Sequence, residues 1–307
     1  MTERDKIEFS DLRPTLRDKV ATVRLFIGST VDGLVAFDTN KIAGDMDKDI
    51  RHRVAYALIP HIWRNLAGID RRRFINSPLY ELFANSYRLV CFYDDLCDER
   101  DGGVPLPTKD ELASSEYARQ LLCSVVNIVH RQLKTPACER IKFIGNLAHF
   151  RRQEYEWLQE FEPGDRDWKT FSFDEVVGYK ELTGSLNARI ASEVCGLPFS
   201  EVPQQKKIFI EESMVNALLL MQIADDVRDW REDVRFGNLN YFTSAAVGTG
   251  ELGRLLGNTD KLPPRSVAPE SMEMCDRVAV GYLQKIPSEY RGLKGVCRVE
   301  YAKLTGL

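Results

Sequence analysis

The chain has 307 residues, of which 44% are hydrophobic and 29% charged, a balance that supplies a sizeable core and excludes disordered, fibrous and low-complexity classes. Its 42 basic and 46 acidic residues leave a formal charge of −4, so no basic excess is on hand to neutralise a nucleic-acid backbone. Seven cysteines without any C-x-x-C spacing exclude a zinc knuckle or disulfide framework and read as reduced thiols, mostly in the core.

In chain order, the first ~15 residues are charged, carry no apolar signal core and read as an unstructured lead-in. Apolar residues then recur at helical spacing over 53–68, 79–96, 118–133 and 215–227. Breaks fall at Asp101-Gly-Gly-Val-Pro, Pro163-Gly, Gly196-Leu-Pro and the Gly/Pro-containing stretch 246–270. Alternating strand-like runs are scarce. The pattern predicts an all-α chain, residues 1–307 as a single domain of roughly ten or more helices around a central apolar cavity. No stretch approaches the ~18 apolar residues of a membrane span, so a cytoplasmic protein with no stable membrane insertion is expected.

Two acidic clusters grow directly out of apolar helices. The first is Asp94-Asp95-Leu96-Cys97-Asp98-Glu99, in which Asp94 and Asp98 stand one turn apart on one helix face. In the second, Asp225, Asp229 and Asp233 form an i, i+4, i+8 line. Like charges at this spacing destabilise a helix, so a cation is expected to compensate. Hard oxygen donors suit Mg²⁺, which keeps several waters and is completed by phosphate oxygens. One such pair is ordinarily solvated surface. Here apolar rows lead into the acids, Phe83 and Tyr87 into Asp94, and Met214, Leu218 and Met221 into Asp225, as expected of a greasy cavity with an acidic mouth.

These residues resemble the class I isoprenoid synthase superfamily. Asp94-Asp95-x-x-Asp98-Glu99 matches its aspartate-rich DDxxD(E) motif, and Asp225, Asp229 and Asp233 stand at the positions of the terpene-synthase triad (N/D)Dxx(S/T)xxxE, with Asp at the last two. The run Gln222-x-x-Asp225-x-x-Arg228-Asp229-x-x-Glu232-Asp233-x-x-x-Gly237 is also similar to the phytoene synthase pattern QxxNxxRDxxEDxxxG, with Asp225 for Asn. Lys180, 45 positions ahead of Asp225, opens a KxxTG segment with Thr183 and Gly184. It resembles the diphosphate sensor, linker and helix-break glycine of bacterial and fungal terpene synthases. Arg298 and Tyr301 stand near the C-terminus where that family has an adjacent Arg-Tyr pair.

The resemblance implies a terpene synthase that ionises farnesyl or geranylgeranyl diphosphate and cyclises the carbocation. Three Mg²⁺ ions, replaceable by Mn²⁺, would be held by Asp94, Asp98, Asp225, Asp229 and Asp233. Lys180, Arg228, Arg298 and Tyr301 would face the diphosphate, while Phe83, Tyr87, Thr183, Gly184 and Met221 would contact the substrate. Arg228 has a plainer alternative as the partner of Asp225 or Glu232. The same residues leave open a head-to-head condensing enzyme of the squalene/phytoene type, and a helical scaffold without activity. The GGKxxRP-like segment of chain-elongating enzymes is not visible. A homodimer is expected by analogy with relatives. Gly248-Thr-Gly-Glu-Leu-Gly253 reads literally as GxGxxG, but a helical, acidic context is wrong for a dinucleotide site, which follows a buried strand.

Overall fold

The computed structural model describes residues 9–36, 50–75, 77–79, 82–83, 85–86, 116–133, 136–143, 145, 168–258 and 262–307. Eleven named α-helices occur among them: α1 Leu16–Ala36, α2 Ile50–Ala67, α3 Arg71–Ile75, α4 Glu116–Arg131, α5 Phe173–Gly196, α6 Gln204–Phe236, α7 Tyr241–Gly248, α8 Leu252–Leu256, α9 Pro264–Val267, α10 Pro269–Lys285 and α11 Arg291–Thr305. No strand occurs among the described residues. The all-α expectation is met, with helix ends near the predicted ones at Ala67, Arg131 and Gly196. The stretch expected to be loop after residue 246 instead holds α8 and α9, and Gly248–Gly253 joins α7 to α8 with no strand before it.

Local sequence explains where helices begin. At α1, the Thr15 backbone N–H donates to Asp18 Oδ2 at 2.9 Å and the Asp18 N–H to Thr15 Oγ1 at 3.2 Å, a reciprocal cap that satisfies two otherwise orphaned donors. Ser172 and Glu175 do the same for α5, at 2.7 and 3.3 Å. Asp70 accepts from the N–H groups of Arg72 and Arg73 at the start of α3.

The chain forms two compact units, one of Met1–Thr22, Glu160–Leu186 and Glu212–Leu307, the other of Val23–Gln159 and Asn187–Glu211. In the first, α10 is covered by α7, α9 and the 3-10 turn Phe9–Leu12, and that turn also meets α11. Leu12, Met272, Cys275, Ala279 and Tyr301 are buried there. In the second, Phe199 stacks on Trp63 at 5.8 Å and on Phe74 at 5.6 Å. Two adjacent lysines at the start of α6 close two helix ends in this unit. Lys206 Nζ donates to the Ala67 carbonyl of α2 at 2.7 Å, and Lys207 Nζ to the Gly196 carbonyl of α5 at 3.0 Å. Cations are favoured there by the exposed C-terminal carbonyls.

Candidate functional site

Helix α6 runs unbroken from Gln204 to Phe236, so Asp225, Asp229 and Asp233 do descend one helix in line, and all three are partly exposed. The apolar row leading to them is buried at Met214 and part-buried at Leu218 and Met221. The deeply buried row lies one residue around the helix, through Leu219, Ile223, Asp226 and Trp230. That i, i+4, i+7, i+11 spacing was legible in the sequence and places a carboxylate in the middle of a core stripe.

Asp226 is the residue the motif reading missed. It is 3% exposed and fully bonded. Lys180 Nζ lies 3.2 Å from Oδ1, Gln222 Nε2 donates to the same oxygen at 2.8 Å, and the Tyr241 backbone N–H donates to Oδ2 at 2.8 Å. Burial raises its pKa above the ordinary value, against the opposing pull of Lys180 and of the Tyr241 and Gln222 hydrogen bonds. Asn240 completes the corner. It caps α7 by accepting from the Thr243 N–H at 3.0 Å, and its Nδ2 reaches the Asp226 carbonyl at 2.8 Å and Asp233 Oδ2 at 2.6 Å. Between the two helices Gly237 adopts φ +76°, a left-handed conformation in which a Cβ is strained.

Arg228 occupies the outer face. Its Nη2 is 2.5 Å from Asp225 Oδ1, and it forms a two-pronged pair with Asp229, Nε to Oδ1 at 2.7 Å and Nη2 to Oδ2. The plainer alternative therefore holds in that Arg228 pairs with Asp225, joined by Asp229. Burial raises Asp225, with Asp229 and Asp226 adding to the effect and Arg228 opposing it.

The expected centre of three Mg²⁺ ions, or Mn²⁺ in their place, is corrected by this donor set. Among the described residues no group of three or more His, Cys, Asp or Glu side chains is placed to hold a metal ion. The reason is visible on α6: the Arg228 guanidinium already answers Asp225 and Asp229, while Asp233 accepts from Asn238 Nδ2 at 3.1 Å and from Asn240. The like-charge repulsion that called for a cation is met by a side chain. Asp94, Asp98 and Tyr87 lie outside the described residues.

The other expected residues fall in separate places. Lys180 is paired with Asp226, as above. Helix α5 continues through Thr183 and Gly184, so no helix break occurs there. Thr183 Oγ1 donates back to the Tyr179 carbonyl at 3.1 Å. Gly184 is the close approach of α5 to α6, where a Cβ would stand 2.9 Å from Leu219 Cδ2. Because Lys180 meets Asp226 while Gly184 meets Leu219, the two helices pack antiparallel. Arg298 Nε donates to the Asp11 carbonyl at 2.7 Å, with Nη1 3.6 Å from Asp18. Tyr301 is fully buried and donates to Asp276 Oδ1 at 2.8 Å; Arg265 clamps the same carboxylate at 2.6 and 3.0 Å. Phe83 is 2% exposed, in the core of the second unit. The five described cysteines are free thiols, three of them buried.

This is the class I isoprenoid synthase fold. The chain is similar over 91% of its length, and over 98% of the other chain, to the geranylgeranyl pyrophosphate synthetase from the archaeon Geoglobus acetivorans, with a TM-score of 0.63 and 14% sequence identity. At that identity the likeness is one of fold. No protein-family model and no curated protein matches the sequence. No described helix is long and apolar enough to cross a membrane.

Proposed function

We propose that the chain is a class I terpene synthase, which takes a linear prenyl diphosphate such as farnesyl or geranylgeranyl diphosphate, breaks its allylic C–O bond and cyclises the carbocation while diphosphate leaves. The observation that carries this reading is an isoprenoid synthase fold whose α6 bears an arginine fixed between two aspartates at the end of a part-buried apolar row. Heterolysis needs donors aimed at the oxygens on which charge develops. Arg228, half-exposed and oriented by its two carboxylates, is the first such donor. Lys180, Arg298 and Tyr301 are proposed as further donors, each exchanging a present partner for a phosphate oxygen. Thr183, Gly184 and Met221 are proposed to contact the substrate. The synthetase that shares the fold is named for making geranylgeranyl diphosphate, which supports a prenyl diphosphate as the substrate class.

A second reading is favoured by a specific observation: the positions of the Gln222–Gly237 pattern are engaged, Gln222 on Asp226, Arg228 on Asp225 and Asp229, and Gly237 at its positive φ. That pattern is similar to the head-to-head condensing branch.

Incubating the full chain with farnesyl or geranylgeranyl diphosphate, with and without isopentenyl diphosphate, distinguishes the readings. Cyclic hydrocarbons or alcohols with free diphosphate are expected. Squalene- or phytoene-length products would assign the condensing reaction, an elongated diphosphate would assign chain elongation, and no diphosphate release would leave a scaffold. Arg228→Ala should lower kcat about 100-fold while shifting stability by no more than ~1 kcal/mol, the worth of an exposed pair. An unchanged kcat would remove Arg228 from the reaction.

A further inference from the structure

Helix α1 is inverted. Its inward face carries small polar groups: Asp18, Thr22 and Ser29 are buried, with Thr22 Oγ1 donating to the Asp18 carbonyl at 2.8 Å and Ser29 Oγ to the Phe26 carbonyl at 3.0 Å. Its outward face carries branched aliphatics. Leu16, Val20, Val23, Ile27 and Val31 are 78, 43, 56, 61 and 41% exposed, and their i, i+4, i+7, i+11, i+15 spacing sets them in one stripe about 22 Å long. Arg17 and Arg24 flank the stripe on one side and Lys19 on the other, all exposed. The one acid in 16–31, Asp18, faces inward.

We propose that this face of α1 lies on an anionic lipid surface, the aliphatic stripe entering the headgroup–acyl boundary and Arg17, Lys19 and Arg24 meeting lipid phosphates and carboxylates. An apolar stripe edged by cations, with no exposed acid among the described side chains of α1, is the pattern of an interfacial helix that rests on a bilayer without crossing it. Charge selects this occupant over a second copy. A two-fold contact sets the same surface against itself, which would bring the three cations toward their own counterparts. Five side chains also fall well short of the roughly 20–30 residues a side of a stable interface.

Co-sedimentation of the full chain with vesicles tests the proposal independently of any isoprenoid activity. The chain should pellet with phosphatidylcholine vesicles containing about one third phosphatidylserine, not with phosphatidylcholine alone, and should be released at about 0.5 M salt. Lys19→Gln with Arg24→Gln should weaken binding roughly 25-fold, about fivefold per cation. Val23→Ser with Ile27→Ser, also at exposed positions, should abolish it at an unchanged Tm. Absence of binding to anionic vesicles, or equal binding by both double variants and the parent, overturns the proposal. So does a dimer in sedimentation velocity that Val23→Ser with Ile27→Ser dissociates, because a second copy then covers the stripe. Should the serine variant fail to fold, the glutamine variant alone decides.

Discussion

Asp225 and Asp226 are neighbours of the same residue type with opposite surroundings, since one step along a helix turns a side chain by ~100°. Asp225 points to the open side, where Arg228 meets it, and Asp226 points into the core, where Lys180, Gln222 and the Tyr241 N–H surround it. Removing the carboxylate by Asp226→Ala should cost about 3 kcal/mol, because it strands a largely buried ammonium and an amide donor. The direction of the Asp226 shift also fixes a pH dependence. Burial raises its pKa above 3.8, so the folded chain keeps a proton that the unfolded chain has already lost. Its contribution is greatest below 3.8 and declines as pH climbs to the raised value. In urea denaturation from about pH 4 upward, the stability of the parent relative to Asp226→Asn should fall with pH. A difference independent of pH would contradict the assignment.

At the scale of elements, α5 and α6 are held at one end by Lys180 and Asp226 and cross at Gly184 over Leu219. A methyl at Gly184 would gain about 1 kcal/mol of helix propensity, yet it would stand 2.9 Å from Leu219 Cδ2, and crowding a packed contact costs about 1–3 kcal/mol. Gly184→Ala should therefore destabilise by about 1 kcal/mol. Combined with Leu219→Ala it should cost less than the two single changes added, a coupling measurable in a double-mutant cycle. Strict additivity would show that the crossing has relaxed elsewhere. The same crossing explains how the sequence misleads here. A glycine within a KxxTG segment reads as a break, whereas the backbone uses its missing Cβ to bring two continuous helices together. Helix identity was legible because the apolar period persists over many turns. Which row of α6 is deepest was harder to read, since Met214, Leu218 and Met221 are as apolar as the row one residue around, and only packing partners decide between them. Arg228 was legible as a partner for the acids. That it would answer two of them at once depended on its rotamer.

At the scale of the whole molecule, segments far apart in the sequence depend on each other, the Phe9–Leu12 turn on α10 and α11. Leu12 is fully buried where the Phe9–Leu12 turn meets α10 and α11, and Arg298 on α11 holds the Asp11 carbonyl. Leu12→Ala should cost about 3 kcal/mol, the range for emptying a buried leucine site, and should lower the urea midpoint without changing the slope. A loss below about 0.5 kcal/mol, the size of an ordinary surface change, would mean that the turn adds nothing to the core. The acids of α6 were legible as a line, and the fold as all-helical. The role of this opening segment was not, because a short charged stretch carries no period and its partners lie nearly 300 positions away, Arg298 being 287 residues from Asp11. That separation has a consequence for biosynthesis. Asp11 and Leu12 leave the ribosome long before Arg298 and the helix around it, so a growing chain carries an uncovered leucine and an unclaimed carbonyl until α11 has been translated. Translation of α11 therefore fastens the Phe9–Leu12 turn.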